Sequence, residues 1–264
     1  MKKIKLNYSF ENTVATITLD DGKVNILDHI MMEELQQVLD DFKNKPELKL
    51  IVFEGAGKHF SFGASVEEHK RELAEEMLSK FHHLFYSLSD LAIPIAAKIT
   101  GQCLGGGLDL SLMCNFMFAD KSAKLGQPEI LLGVIAPAAS VLLQEKIGLA
   151  HAEDLLLTGR TITADDAKSW GLLNEVFESR NEMDSGVDKW IETYIVPKSA
   201  SSLRYSVKAS RAKLSHLMSN FLPQLESLYV NRLMNTPDAN EGIQAFLEKR
   251  KPVWETYEIV THLK

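Results

Sequence analysis

Two acids and two glycine-bearing loops are the parts of this chain whose residue types and spacing could do chemistry. The first acid, Asp109, follows three consecutive glycines in "GQCLGGGLDLSLMC" (Gly101 to Cys114). A glycine weakens a helix by about 1 kcal/mol relative to alanine, yet Gly105, Gly106 and Gly107 stand where an apolar helix begins. A helix start presents unpaired N–H groups and partial positive charge, and a bare backbone lets another group approach them. A phosphate loop would need a Lys-Ser/Thr pair after the glycines, and Leu108-Asp109 is not one. A dinucleotide fingerprint would need G-x-G-x-x-G, and that spacing is absent. Two readings remain: close helix–strand packing, or an oxyanion hole whose N–H groups face a carbonyl oxygen that gains charge. The second loop, "KHFSFGAS" (Lys58 to Ser65), could supply the other half of such a hole. The second acid, Glu129, lies in "KLGQPEILLGVIAP" (Lys124 to Pro137), after a proline and before an apolar stretch. It reads either as a solvated helix-terminal acid or as a partly desolvated general acid or base with a raised pKa.

The elements that must position these residues follow from hydrophobic periodicity. "VATITL" (Val14 to Leu19), "LKLIVFEG" (Leu48 to Gly55), "IPIAAKI" (Ile93 to Ile99), "NFMFAD" (Asn115 to Asp120) and "LNEVF" (Leu173 to Phe177) read as strands. Asp28 reads as an N-cap, with Met31, Leu35, Val38, Leu39 and Phe42 at helical spacing behind it. A further helical stretch runs from about Val66 to Leu88, where His82 and His83 read as exposed, solvated histidines. After Pro137 come three short helices closed by glycine. Beyond about Asp184 the chain reads as helix, broken at Pro197, Pro223, Pro237 and Pro252. Strands alternating with helices predict an α/β architecture with parallel pairing. The expected division is a core over 1–196 carrying the site and a helical oligomerisation region over 197–264.

Composition narrows the class. The chain has 264 residues, 45% hydrophobic and 25% charged, enough for a sizeable core. A net charge of -7 argues against nucleic acid as a partner. Cys103 and Cys114 are the only cysteines, which suits a reducing cytoplasm. "MKKIKLNYSFEN" turns polar too early for a signal peptide, and no apolar run reaches the roughly 18 residues of a membrane span. No Cys/His cluster at zinc spacing occurs, so neither a metal nor a redox cofactor is expected.

Taken together, "FSFGAS", "GQCLGGGLD", "LGQPE" and "LTGRTITADDAKSWGLL" resemble the enoyl-CoA hydratase/isomerase (crotonase) superfamily. The N-terminal "VATITLDDGKVNIL" and the C-terminal "FLEKRKPVW" extend the resemblance over nearly the whole chain. It implies a ββα spiral core with a C-terminal helical trimerisation region, a homotrimer or homohexamer, and an acyl-CoA thioester as substrate. By position it implies backbone N–H groups of Ala64 and Gly106 as the oxyanion hole, with Asp109 and Glu129 as the hydration carboxylates. It places Lys23, Val24, Ser65 and Val66 at the nucleotide end of CoA. Lys58, Arg250 and Lys251 are candidate phosphate partners, although such surface residues also read simply as solvated.

Departures from the family pattern point to the substrate. The family acid after the glycines is commonly Glu; Asp109 withdraws the carboxylate by about 1.5 Å. "APAAS" (Ala136 to Ser140) stands where straight-chain hydratases carry P-G-A-G-G, and Phe62 replaces a usual alanine. Phe62, Ala136 and Pro137 are therefore expected to reshape the acyl pocket. These segments are most similar to the branch that hydrates cyclohexa-1,5-diene-1-carbonyl-CoA in anaerobic benzoyl-CoA degradation. The alternatives are a generic enoyl-CoA hydratase or isomerase on chain acyl groups, and a non-catalytic CoA-binding protein. Retention of both acids argues against the last.

Overall fold

The computed structural model describes residues 1–255. In chain order the elements are β1 (Ile4–Ser9), β2 (Val14–Leu19), β3 (Ile26–Leu27), α1 (His29–Phe42), β4 (Leu50–Gly55) and β5 (Gly63–Ala64). Then come α2 (Ala74–Leu91), β6 (Ile95–Ile99), β7 (Gln102–Leu104), α3 (Gly106–Leu112), β8 (Phe116–Asp120) and β9 (Lys124–Gly126). They are followed by α4 (Pro137–Ile147), α5 (Leu149–Thr158), β10 (Thr161–Thr163), α6 (Ala164–Ser169), β11 (Glu175–Phe177) and α7 (Arg180–Tyr194). The last are α8 (Ala200–Ser210), α9 (Ala212–Asn231) and α10 (Pro237–Leu247). The part of the helical region beyond Glu255 lies outside the described residues.

The main sheet runs β1-β2-β4-β6-β8-β11, parallel throughout except for the β1–β2 hairpin. Its strands alternate in the sense that a sheet covered on both faces requires. Ile17, Leu19, Ile51, Phe53, Ala97 and Ile99 join the large core with α1, α2, α3 and α4. Val14, Leu50, Val52, Ala96 and Phe118 face the other way, onto Met183, Val187 and Ile191 of α7. Two smaller sheets stand beside the main one: β10-β9-β7, and the two-stranded parallel pair β3-β5. Their role is local. Each fixes one of the glycine loops against another segment.

The expected parallel α/β core is present, and Asp28 caps α1 by accepting from the Met31 N–H at 3.1 Å. Three expectations need correction. The helix expected from Val66 begins as a 3₁₀ turn, Val66–His69, and the regular helix starts only at Ala74. Pro223 does not break the chain's last long helix; it lies inside α9. Tertiary contacts hold that helix despite the missing N–H, since Met218, Leu222 and Tyr229 join the large core. Finally, His82 is buried, paired through Nδ1 with Glu226 of α9, and only His83 stands in solvent.

No helix among the described residues is long and apolar enough to cross a membrane.

Candidate active site

Three segments converge at the start of α3, and each is held by a specific device. The loop after β4 is pinned from the N-terminal turn. Asn25, in a left-handed conformation (φ 59°), donates from Nδ2 to the carbonyls of Ala56, His59 and Phe60 at 2.9–3.2 Å. Asparagine tolerates that backbone region better than most residues. In the same knot, Ser61 Oγ donates to the Asn25 carbonyl at 2.6 Å and accepts from the Gly63 N–H at 3.0 Å. The Phe62 N–H donates to the Val24 carbonyl at 3.1 Å. β5, carrying Ala64, is thereby set against β3.

The glycine triplet has three separate reasons. A Cβ on Gly105, whose φ is +50°, would lie 2.4 Å from Glu129 Oε1. A Cβ on Gly106 would lie 3.1 Å from the Ala64 nitrogen and 3.2 Å from Phe81 Cζ. A Cβ on Gly107 would lie 2.7 Å from Ser61 Cβ. So the first glycine makes room for the catalytic candidate, the second lets the backbone at Ala64 and the Phe81 ring come close, and the third is packing. The packing reading of the triplet holds at Gly107. The Gly106 N–H is among the helix-initial donors that have no intrahelical partner.

Glu129 projects from a short 3₁₀ turn, Pro128–Leu132. Its Oε2 is buried and has no hydrogen-bond partner among the described residues. Burial pushes its carboxyl up to about 7, so the solvated helix-terminal reading does not apply. Asp109, 5% exposed, lies one turn along α3 and accepts from Gln127 Nε2 at 2.7 Å. Its carboxyl is held well above the ordinary range by burial and by the neighbouring Glu129, which together outweigh the Gln127 hydrogen bond. Two acids this close cannot both ionise readily. They form one acid unit in which Glu129 opposes the ionisation of Asp109.

A cavity of about 350 Å³ opens over this unit. Glu129 lines it, along with Gly105, Ala64, Phe62, Leu132 and Phe246. Asp109 does not; it stands behind, reached through Gln127 and Glu129. Of the other sequence candidates, Val66 and Arg250 also line the cavity. Arg250 is already engaged: it donates to Glu241 at 2.5 and 2.7 Å and to Glu248 at 2.6 Å. Lys23, Lys58 and Lys251 are exposed and lie outside the cavity wall, as do Val24 and Ser65. Ala136 and Pro137 are buried at the start of α4 and do not reach the wall. Phe62, 39% exposed, does.

Sequence reasoning did not single out four residues that shape the site. Gln127 has one signal: a polar side chain between Gly126 and Pro128 that the fold buries to 1% exposure. Asn25 is signalled by its place in a turn after a strand. His69 lines the cavity and is 8% exposed. Tyr229, from distant α9, buries its hydroxyl without a partner among the described residues, and no local pattern announces it.

The site thus combines a parallel sheet flanked by helices, a buried acid pair at a cavity, and the backbone of Ala64 drawn close to Gly106. The chain matches the enoyl-CoA hydratase/isomerase family over residues 9–257 and belongs to it, as an enzyme of the hydro-lyase kind. Among its relatives, the cyclohexa-1,5-dienecarbonyl-CoA hydratase of Thauera aromatica is 40% identical over 245 residues, covering 93% of this chain and 94% of that protein. A putative enoyl-CoA hydratase of Thermus thermophilus is 32% identical over 248 residues, covering 90% and 96%. The crystal structure of an enoyl-CoA hydratase from Bacillus anthracis superposes with a TM-score of 0.75 at 30% identity, covering 96% of this chain and 98% of that one.

Proposed function

We propose that this enzyme adds water 1,4 across cyclohexa-1,5-diene-1-carbonyl-CoA, giving 6-hydroxycyclohex-1-ene-1-carbonyl-CoA, as a cytoplasmic step of anaerobic benzoyl-CoA degradation. Hydration of an acyl-CoA thioester is the family's chemistry, and the observation that carries it here is Glu129 in the cavity wall, its Oε2 buried without a hydrogen-bond partner among the described residues, with Asp109 behind it on α3. The ring substrate is supported by the 40% identical relative of that name and by Phe62 in the cavity wall.

The thioester oxygen sits between the N–H groups of Ala64 and Gly106. Water attacks the β-carbon, C2, and a C–O bond forms. Charge spreads from C1 towards C5 as a dienolate, which the two N–H groups stabilise where it gathers on oxygen. A proton joins C5, and the remaining double bond lies between C1 and C6. The acid pair takes one proton from water and returns one to the ring, so the addition is balanced. A carboxyl whose pKa is raised towards neutrality suits both transfers. A trimer or hexamer accompanies this reading: Phe221 and Leu228, seven residues apart on α9, are each about half exposed.

The test is turnover of the cyclic dienoyl-CoA beside crotonyl-CoA. The expected ratio of kcat/KM is at least ~1000-fold in favour of the ring, about 4 kcal/mol of differential transition-state binding. In deuterated water the label should enter at the distal ring carbon. Comparable rates on crotonyl-CoA would favour a generic enoyl-CoA hydratase, and a product deuterated at the α-carbon would rule out 1,4-addition.

A further inference from the structure

The cavity wall contains a second ionisable group for which the acid pair leaves no role. His69 closes the 3₁₀ turn Val66–His69, directly after the loop that carries Ala64. Its ring is 8% exposed and borders the same cavity as Glu129. Nδ1 lies 2.8 Å from the Ser65 carbonyl oxygen. A carbonyl can only accept, so Nδ1 carries the proton. Burial pushes the ring below the usual histidine range, against the opposing pull of the Ser65 carbonyl and Glu68. A neutral ring with its proton on Nδ1 leaves a lone pair on Nε2. No partner for Nε2 occurs among the described residues, and most of the cavity's lining is apolar, Phe62, Val66, Leu104, Leu132 and Phe246 among it, with Glu129 and Arg250 as the other ionisable groups. An acceptor in such a setting requires a donor from the ligand or from water.

The reaction supplies one. Water has two hydrogens. One leaves to the acid pair as the C–O bond forms. The other stays on the oxygen and becomes the hydroxyl hydrogen of the product, and in an apolar cavity it too needs an acceptor. We propose that His69 Nε2 accepts the hydrogen bond from the oxygen added to the acyl group, as bound water before addition and as product hydroxyl after it. His69 is then a specificity residue for the hydroxylated ligand, distinct from the proton-transferring pair. The proposal deepens the hydratase reading and rests on it for the identity of the acyl group.

Calorimetry on the full chain tests it with two ligand pairs. The ring pair is 6-hydroxycyclohex-1-ene-1-carbonyl-CoA against cyclohex-1-ene-1-carbonyl-CoA; the chain pair is 3-hydroxybutyryl-CoA against butyryl-CoA. Wild-type protein should prefer the hydroxylated member by roughly tenfold, the scale of one buried hydrogen bond. His69→Leu should abolish that preference while leaving affinity for the unhydroxylated member within about twofold. His69→Gln, which keeps an acceptor, should retain part of it. Equal weakening of both members would show that His69 only holds the Ser65 loop, and would overturn the proposal. So would a wild type with no preference in either pair. A preference confined to the chain pair, and lost in His69→Leu, would uphold the role of His69 and overturn the ring substrate. If His69→Leu does not fold, the ¹⁵N resonance of His69 Nε2 in wild type decides. It must move with the hydroxylated ligand and stay with the other; identical responses to both overturn the proposal.

Discussion

Lys98 and Glu129 are both ionisable groups drawn into the interior, and the protein treats them in opposite ways. Lys98, on β6, lies 2.9 Å from Glu54 Oε2 on the neighbouring strand and 2.5 Å from Asp184 on α7. Glu54 also accepts from Thr18 Oγ1 at 3.0 Å. Burial alone would lower the Lys98 pKa, yet its two carboxylates hold it above the usual lysine range. Charge there is matched, and the cluster ties the sheet to the helix covering its outer face. Glu129 has an acid for a neighbour, a buried oxygen without a partner among the described residues, and a pKa moved away from its ordinary value. One cluster minimises its own reactivity. The other keeps an unpartnered acid, which folding alone would not favour, beside a space a ligand can enter. Reactivity is located by the unmet demand rather than by the presence of charged residues.

That contrast breaks most sharply by mutation of the acids. Asp109→Asn and Glu129→Gln should each lower hydration by at least ~100-fold, the usual scale for general acid–base groups, with the far-UV circular dichroism and CoA affinity retained. Near-wild-type turnover in either variant removes that residue from the mechanism. The larger KM effect is expected for Glu129→Gln, because only Glu129 lines the cavity.

Lys98→Met should do the reverse. Removing one member of a largely buried ion cluster leaves Glu54 unmatched, and urea unfolding should show a loss of about 2 kcal/mol, below the full range for buried pairs because Asp184 is partly exposed. Specific activity of the folded fraction should stay within about twofold. A variant that kept its stability but lost activity would dissolve the distinction between the two clusters.

The smallest effect sharpens it. Glu129 holds its proton to about pH 7 in the fold but only to about 4.5 when unfolded. Between those values the folded state binds more protons, so stability falls as pH rises through the window. The contribution is complete below about 4.5 and gone above 7. Glu129→Gln should flatten this dependence by on the order of 1 kcal/mol between pH 5 and 8. A profile unchanged by the substitution would mean that Glu129 titrates normally.

Much of the frame was legible because it follows from periodicity. β2 spans Val14–Leu19, the stretch that its alternation of apolar residues with alanine and threonine predicts. β1 was not, because "IKLNYS" borders a charged terminus and its pairing partner supplies the apolar face. The turn between Val66 and Ala74 escaped because "EEHKRE" (Glu67 to Glu72) contains no glycine or proline to mark a break. The acids were found from residue type and motif, but the choice between a solvated and a desolvated Glu129 depends on what α3 and α10 place around it. His82 shows the same limit. Its burial is set by Glu226, 144 residues away, and local pattern cannot carry that information.

The three glycines before α3 also say something about how this sequence can vary over time. Position 105 is barred to side chains by its own backbone at φ +50°, position 106 is crowded by the backbone at 64, and position 107 is blocked by the side chain at 61. The run is therefore three separate locks, each with its own cause, rather than one flexible stretch with interchangeable members. An insertion or deletion of a single residue here would mismatch all three at once. Loss of the acid at 129 would not release position 105, where a φ of +50° bars a side chain whatever the space, so the triplet should outlast the acid–base chemistry in any lineage that keeps the fold.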